Sequence, residues 1–149
     1  MRLTLAHIGG RFPAGDDFDR LTLWYLQRSS AYCPCDPVSF RSEDAFLEWL
    51  ERRHGRTPSL AVLLDSRGRA MNSAAFASWI GARRDEGAQH IVFAIGSADG
   101  WSEAAKERGK LLLSLSEFTF AHSLARLVLA EQIYRALTIL AGHPYHCGH

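Results

Sequence analysis

The sequence predicts an α/β fold in which a parallel β-sheet is covered by helices on both of its faces. Two runs, residues 60–64 and 91–95, are continuously apolar, as expected for strands that are buried on both faces. Segments with strand character alternate with segments of helical periodicity along the chain, which is typical of a parallel sheet. The 149 residues have the length of a single domain, residues 1–149, with room for a substantial core.

The N-terminal segments are predicted to form a strand and a helix. Residues 3–8 are an apolar run that ends at Gly9 and Gly10, which indicates the first strand. Asp16 or Asp17 is suited to cap a helix that extends to about Arg28. The buried side of this helix is predicted from the apolar residues on and around one face, which are Phe18, Leu21, Trp24, Tyr25 and Leu26.

The next segments predict a turn, a short strand, a second helix and a loop. Residues 33–36 have the composition of a turn, and residues 38–40 are a candidate for the short second strand. Ser42 is a favourable N-cap, and Gly55 is expected to end the helix that begins there. The first buried run follows, and residues 65–69 are predicted to be the loop after it.

The sequence after residue 70 predicts a helix followed by a strand, and then a second helix followed by a second strand. Asn72 or Ser73 is expected to cap a helix that ends by Gly87, and the second buried run follows it. Ser102 is expected to cap a short helix, and residues 111–115 would then complete the sheet as its last strand.

The C-terminal helix, from about Ser123 to Leu140, is more apolar than an ordinary surface helix. Its apolar residues cover nearly two faces, and Glu131 and Arg135, four residues apart, leave only a narrow polar face. We therefore expect one face to contact the sheet and the other to contact a second subunit across a two-fold axis. The alternative is a helix at the centre of a monomer.

Composition restricts the class of function and the location. The 17 basic and 16 acidic residues give a formal net charge of +1, which argues against a free-standing electrostatic binder of DNA or RNA. Three cysteines without a C-x-x-C pair do not predict a disulfide framework. No apolar run has membrane-spanning length, and the start lacks the features of a signal peptide, so a cytoplasmic protein without membrane contacts is predicted.

Three loops are candidates for a ligand site, because ligands in open α/β sheets bind outside the carboxyl ends of the strands. They are the loop after Leu64, residues 96–100 and residues 116–122, which should converge in space. Residues 96–100 match neither the G-x-G-x-x-G nor the Walker pattern, although their glycines permit close approach of the backbone to a ligand. Phe118 and Phe120 would suit a flat aromatic group such as adenine, unless both pack in the core.

The C-terminal tail is rich in histidine and contains His143, Tyr145, His146 and His149. With Cys147 these residues suggest a metal site, but no distant ligand closes it, and no metal is predicted. A frayed tail is the other alternative. An aromatic residue that follows a proline usually docks, so the tail is expected to pack on the protein.

Five motifs together resemble the ribosomal RNA large subunit methyltransferase H family. They are Leu63-Leu64-Asp65, Ile95-Gly96 with Gly100, Leu115-Ser116 with Thr119 and His122, the helix from Leu124 through Arg126, Glu131, Tyr134 and Arg135 to Ala136, and His143-Pro144-Tyr145-His146. The resemblance is specific from Leu60 onward and looser before it. The length of the chain and its first strand also agree with the family.

This resemblance implies a SPOUT-class fold with a C-terminal trefoil knot, which pattern arguments alone would not predict because α/β connections are normally unknotted. It also implies a homodimer that uses S-adenosylmethionine to methylate N3 of a pseudouridine in 23S ribosomal RNA of the assembled bacterial ribosome. By family position, the cofactor would be held by Leu64, Gly96, Leu115, Ser116, Glu117, Phe118, Thr119 and Phe120.

The chemistry assigns further roles to residues near the C-terminus. Transfer of a methyl group from a sulfonium depends on positioning, and the imide nitrogen that accepts it must lose a proton. His143 and His146 are candidates for the proton acceptor because histidine titrates near neutral pH. Tyr145 and Arg126 would orient the RNA, and His122 would support the loop that precedes the last helix.

Two departures from the family pattern keep alternatives open. Gly-Ser-Ala-Asp-Gly at residues 96–100 replaces the usual Gly-Gly-Pro-Glu-Gly, and Cys147 stands where relatives usually carry a basic residue. These departures favour, as an alternative, a non-catalytic dimer that binds adenosylmethionine or docks on the ribosome. The pattern alone also permits a flavodoxin-like or nucleotide-binding protein, in which the C-terminal helix would belong to a monomer core.

Overall fold

A computed structural model of the protein describes residues 1–52 and 56–147. Strands and helices alternate along this part of the chain, which confirms the predicted α/β class. The elements are β1 (Arg2–Ile8), α1 (Asp17–Ser29), β2 (Cys35–Phe40), α2 (Glu43–Glu51), β3 (Leu60–Ala70), α3 (Ser73–Asp85), β4 (His90–Ile95), α4 (Glu103–Arg108), β5 (Leu111–Ser114), α5 (His122–Leu140) and a 3₁₀ turn (Pro144–His146). The predicted helix stop at Gly55 and the tail residue His149 lie outside the described residues.

The five strands form one parallel sheet in the order β2-β1-β4-β3-β5. β1 lies between β2 and β4, with Leu3 opposite Cys35 on one side and opposite Ile91 on the other. Because all pairs are parallel, the carboxyl ends of the five strands lie along the same edge of the sheet. This is the edge at which ligands bind in open α/β sheets.

Helices cover both faces of the sheet, as predicted. On one face, α1, α3 and α5 contribute Leu26, Phe76 and Leu129 to a single apolar cluster with the strands. On the other face, α2 and α4 contribute Phe46 and Ala105 to a second cluster. The sheet is therefore buried on both sides, which explains the continuous apolar runs in β3 and β4.

The predicted loop at residues 65–69 is wrong, because β3 continues to Ala70. Leu64 and Arg69 both lie opposite Leu113 of β5. Residues 65–68 therefore form an irregularity in β3 between two paired stretches. At Gly68, a Cβ would lie 2.6 Å from the backbone carbonyl of Leu112. Gly68, in this polar segment, therefore marks a close approach of two strands and not a loop.

The boundaries of three further elements differ from the predicted ones. β2 begins at Cys35, so the predicted turn at residues 33–36 is wrong for its second half. Pro37 is tolerated within β2 because this strand lies at the sheet edge and, among the described residues, pairs only with β1. β5 ends one residue earlier than predicted, at Ser114, and α5 begins one residue earlier, at His122.

The predicted buried face of α1 is only partly correct. Leu26 is buried, but Phe18, Leu21 and Trp24 are 43%, 37% and 46% exposed. The buried side instead includes Thr22. Its hydroxyl donates a hydrogen bond to the Phe18 carbonyl at 2.7 Å, so the buried hydroxyl has a partner. This arrangement leaves an apolar surface on the outside of α1.

α5 lies against the sheet and contacts both α1 and α3. Eight of its residues are buried, including Leu129, Ile133 and Leu137. Leu124, Leu127 and Val128 are only partly buried, so the second subunit predicted on the outer face of α5 stays a prediction. In the described part of the chain, no helix combines the length and the apolar character needed to cross a membrane. The trefoil knot also stays a prediction, since strand order and contacts define neighbours and not threading.

Candidate active site

The parts of the chain at which the three loops were predicted meet at one cleft at the carboxyl edge of the sheet, although no residue of 96–100 lines it. Its walls come from the end of β3, the end of β4, the segment after β5 and the first turns of α5. The cleft has a volume of about 180 Å³. Its lining residues are Leu64, Asp65, Ser66, Ile95, Leu113, Ser114, Leu115, Ser116, Phe118, Thr119, Phe120 and Ala125.

Trp101 connects two of these loops. Its indole Nε1 donates a hydrogen bond to the Leu64 carbonyl at 3.0 Å, and its ring packs directly on Gly96, where a Cβ would lie 3.0 Å from Cε2. Trp101 is only 6% exposed, so its position is fixed by packing. The motifs of the sequence did not single out this residue, although a tryptophan directly after the glycine loop signals an anchor.

His122 connects the third loop to the second. A carbonyl oxygen only accepts hydrogen bonds, so the 3.1 Å contact between His122 Nε2 and the Gly96 carbonyl places a hydrogen on Nε2. This bond joins the start of α5 to the end of β4. The geometry fits the predicted role of His122 as a support for the loop.

The loop between β5 and α5 leaves the cleft open. The hydroxyl of Ser116 accepts a hydrogen bond from the Phe118 backbone N–H at 3.0 Å, which fixes a tight local turn. Phe118 is 81% exposed, whereas Phe120 is half-buried. Core packing of both phenylalanines is therefore wrong for Phe118, whose ring remains accessible to a ligand.

A second cavity of about 290 Å³ adjoins the cleft and shares Leu113, Ser114 and Leu115 with it. Its polar end contains Ser73, whose hydroxyl donates a hydrogen bond to Gln132 Oε1 at 2.7 Å. Ligand pockets in proteins usually measure about 300–1,000 Å³, so the cleft alone is small and the two cavities together reach that range. A ligand with an apolar and a polar part fits this arrangement.

The C-terminal tail docks on α5, as predicted. The Tyr145 hydroxyl donates a hydrogen bond to Glu131 at 3.0 Å, and the Arg135 guanidinium lies 4.8 Å from the centre of the Tyr145 ring. Arg135 also donates a hydrogen bond to Nδ1 of His146 at 3.1 Å. Burial raises the pKa of Tyr145, and hydrogen bonds with Tyr25 and Glu131 raise it further, so the phenol stays protonated.

The docked tail does not assemble a metal site in the described residues. Within residues 1–52 and 56–147, no group of three or more His, Cys, Asp or Glu side chains is placed to hold a metal ion. Cys147 is exposed, and Cys33 and Cys35 are free thiols.

Arg126 lies apart from the contacts that hold the tail. Its side chain is 4% exposed, and Nη1 donates to the Asp19 carboxylate at 2.7 Å. The guanidinium also lies 4.6 Å from the centre of the Phe12 ring. The predicted catalytic residues thus lie in two places. Tyr145 and His146 bind to later turns of α5 through their side chains, and His143 does so through its backbone N–H. Arg126 faces α1 and the segment after β1.

Two solved structures share the fold of this chain. The chain superposes on two crystal structures of the SpoU methyltransferase AviRb from Streptomyces viridochromogenes, with TM-scores of 0.51 and 0.53 and sequence identities of 14% and 15%. The first of these AviRb structures is a complex with the cofactor AdoMet. Each match covers 95% of this chain, which spans 58% and 61% of the AviRb chains. The fold is that of a SpoU-type methyltransferase.

Sequence comparisons identify the family. Residues 1–146 match the family model described as "Predicted SPOUT methyltransferase". A relative named "Ribosomal RNA large subunit methyltransferase H" from Koribacter versatilis is 45% identical, and the match covers 87% of this chain and 88% of the relative. One of the same name from Agrobacterium fabrum is 46% identical, with 98% and 99% covered. The chain belongs to the ribosomal RNA large subunit methyltransferase H family of SPOUT methyltransferases, which confirms the resemblance.

Proposed function

We propose that this protein transfers a methyl group from S-adenosylmethionine to N3 of a pseudouridine in the 23S ribosomal RNA of the bacterial ribosome. The proposal is carried by the convergence of three strand ends on one cleft, in a chain of this family. The fold class alone would not specify the acceptor, because one fold supports many functions. The acceptor follows from the family, and the cleft supplies a place for the donor.

The residues of the cleft fit the proposed cofactor. Leu64, Ile95, Leu115 and Phe120 give apolar walls suited to a flat adenine ring. Asp65 adds a carboxylate that is 10% exposed and suited to a cationic ligand group, and it lies 3.6 Å from Lys106. When bound, S-adenosylmethionine supplies an electrophilic methyl group. We assign the predicted binding roles to Leu64, Gly96 and residues 115–120.

In the docked tail, the neutral rings of His143 and His146 each have an Nε2–H group as a hydrogen-bond donor. Nδ1 of His143 accepts a hydrogen bond from the Tyr145 N–H, and Nδ1 of His146 accepts one from Arg135. A neutral ring whose Nδ1 accepts carries its hydrogen on Nε2. In this arrangement both rings suit RNA contacts. To act as the proposed proton acceptor, either ring must first exchange its hydrogen bond.

We place the second subunit of a homodimer on the outside of α1. Phe18, Leu21 and Trp24 are large, apolar and at least 37% exposed there. Tyr32, which follows the C-terminal end of α1, is also 37% exposed. Apolar groups of this size gain free energy when they are removed from water. Analytical ultracentrifugation should show a dimer that Leu21→Arg together with Trp24→Arg converts to monomers.

The assembled ribosome, located in the cytoplasm, is the proposed substrate. A formal net charge of +1 gives the chain little general attraction to RNA, so contacts supplied by the folded ribosome should be required. Methyl transfer to unmethylated ribosomes and to protein-free 23S RNA should be compared directly. Turnover on ribosomes alone is the expected result.

The function is tested with labelled S-adenosylmethionine and bacterial ribosomes that lack the methyl group. We expect label at N3 of a pseudouridine, and deletion of residues 144–149 should abolish transfer while calorimetric binding of the cofactor persists. Tyr145→Phe is the matched variant, since it removes only the hydrogen bonds of the hydroxyl to Glu131 and Tyr25 and keeps the ring. Undiminished turnover after the deletion contradicts the role of the tail. Cofactor binding without transfer in the intact chain would favour a non-catalytic relative, and flavin binding would favour the flavodoxin-like alternative.

A further inference from the structure

The cleft of about 180 Å³ proposed for the cofactor is called the cofactor cleft from here on. A second cleft, of about 270 Å³, lies beside it at the carboxyl ends of β1 and β2. It is lined by His7, Arg11, Phe12, Asp19, Leu23, Pro37, Val38, Ser39 and Arg126, and here it is called the β1 cleft. Arg11 and Ser39 also border an adjacent depression that contains Gly9, Gly10, Phe40 and Arg41. The two form one basic groove along this part of the sheet edge.

The β1 cleft and the cofactor cleft share the first turns of α5. Ala125 lines the cofactor cleft, and the next residue, Arg126, lines the β1 cleft. His122 connects the two sides, because its Nε2 is bonded to Gly96 and its ring centre lies 5.8 Å from that of His7. A molecule in the β1 cleft would therefore lie next to the bound cofactor.

Two buried nitrogen atoms in the β1 cleft have no hydrogen-bond partner among the described residues. They are Nδ1 of His7 and Nε of Arg126, on side chains that belong to residues only 3% exposed. Buried polar atoms in folded proteins nearly always have partners. Both residues line the β1 cleft, so a ligand that reaches these buried atoms can supply the missing acceptor and donor.

The hydrogen bonds of His7 determine which ligand group it needs. Its Nε2 lies 3.2 Å from the Gly10 carbonyl and must donate to it, so Nδ1 of the neutral ring is an acceptor. Burial lowers the pKa of His7, which keeps the ring neutral at physiological pH. His7 therefore offers an acceptor to an N–H group, as found on the pairing edge of a nucleobase.

The rim of the groove offers positive charge. Arg11 and Arg41 are both exposed, and in the described part of the chain neither is ion-paired with an acidic side chain. Arg126, by contrast, is paired with Asp19 inside the cleft. A guanidinium group matches the geometry of a phosphate, so the two arginines on the rim suit the backbone of a nucleic acid.

We propose that the β1 cleft binds one nucleotide of the RNA substrate beside the methyl donor. Arg11 and Arg41 contact its phosphate, Phe12 borders its base, and Nδ1 of His7 accepts a hydrogen bond from an N–H of that base. This inference rests on the proposed function, because it takes the ligand to be RNA.

Salt-dependent binding to unmethylated ribosomes tests the phosphate contacts. On single-stranded RNA, log K decreases with log salt, and the magnitude of this slope is about 0.7 for each phosphate that the protein neutralises. Arg11→Ala should therefore reduce the magnitude of the slope by about 0.7, and the double variant with Arg41→Ala by about 1.4. Arg84→Ala is the control, since this exposed arginine lies at the opposite edge of the sheet near Met1 and Pro34. Unchanged slopes in the double variant overturn the proposal.

Nuclear magnetic resonance of the imidazole nitrogens tests the base contact in the unaltered protein. Titration with uridine 5′-monophosphate should move the Nδ1 resonance of His7 toward its hydrogen-bonded position, and the double arginine variant should lose this shift. A resonance that does not move at saturating nucleotide overturns the role of His7. This readout needs no His7 variant, so it does not depend on whether a substitution at this buried site folds.

The outcomes separate this inference from the proposed function. Methyl transfer with unchanged salt slopes would leave the proposed function intact and reject the β1 cleft as the nucleotide site. Lowered slopes and a shifted His7 resonance without methyl transfer would retain the site and reject the proposed reaction. Cofactor affinity, measured by calorimetry, should be equal in all arginine variants.

Discussion

Replacement of Gly96 by alanine would press a methyl group against the ring of Trp101. The added Cβ would lie 3.0 Å from Cε2 and 3.2 Å from Cδ2 and Nε1 of the indole. The ring is rigid and 6% exposed, so it has to shift within a packed core. That shift would strain the 3.0 Å hydrogen bond from Trp101 to the Leu64 carbonyl, which holds one wall of the cofactor cleft.

The free energy of unfolding should fall by about 1–4 kcal/mol. Overpacking of a core by one methyl group typically costs about 1–3 kcal/mol, and a weakened hydrogen bond adds about 1 kcal/mol. The lower entropy of the unfolded alanine variant offsets about 0.4–1 kcal/mol of this loss. The affinity for S-adenosylmethionine should also decrease, because Leu64 and Gly96 both position the cleft.

Urea unfolding followed by circular dichroism measures this change, and a double-mutant cycle assigns its cause. If the indole is the obstacle, the cost of Gly96→Ala should be smaller in a Trp101→Phe background than in the original chain. Gly10→Ala is the matched control, since a Cβ there meets nothing within 4 Å. Additive effects in the cycle, or equal stability of the Gly96 and Gly10 variants, would refute the reasoning.

Three further predictions concern the sheet and the β1 cleft. Asp19→Ala leaves the buried Arg126 guanidinium unpaired and should lower the free energy of unfolding by about 3 kcal/mol in urea, whereas exposed Asp17→Ala should not change it measurably. Gly68→Ala places a Cβ 2.6 Å from the backbone of β5 and should lower the melting temperature more than any alanine variant with open space, as calorimetry would show. The His7 imidazole should titrate below its ordinary pKa of 6.5 in a nuclear magnetic resonance experiment. Since the unfolded chain binds this proton more tightly, the contribution of His7 to stability is complete above pH 6.5 and is lost as the pH falls toward the lowered pKa.

Local signals predicted much of the fold because they reflect local physics. The side chains of Asp16, Ser42, Asn72 and Ser102 each accept a hydrogen bond from the backbone N–H three residues later, as predicted for N-caps. The two apolar runs marked β3 and β4 because these strands are covered on both faces. Such features depend only on neighbouring residues and on burial.

Features that depend on distant partners were not predictable from local patterns. Residues 65–69 have the composition of a loop, but β3 continues through them because its pairing with β5 resumes at Arg69. The apolar face of α1 misled the burial prediction, because Phe18, Leu21 and Trp24 lie on its exposed side. Tertiary contacts overrode the local pattern in both cases.

The location of the candidate site was predictable from the sequence, whereas the side-chain contacts that shape the site were not. The rule for parallel sheets placed three loops together, and the resemblance to a family supplied the cofactor and the substrate. The roles of Trp101 and His7 depend on contacts with residues far away in sequence, such as Leu64 and Arg126, so the sequence motifs did not define them.

The internal position of the first strand in the sheet has a consequence for biosynthesis. β1 leaves the ribosome early, yet its partner β4 follows roughly 90 residues later, and closing a loop of that length costs on the order of 4 kcal/mol in chain entropy. A nascent chain that lacks β4 holds an apolar strand with one flank open to unwanted pairing. Maturation should therefore be slow and largely post-translational, with productive collapse delayed until the second half of the polypeptide has emerged.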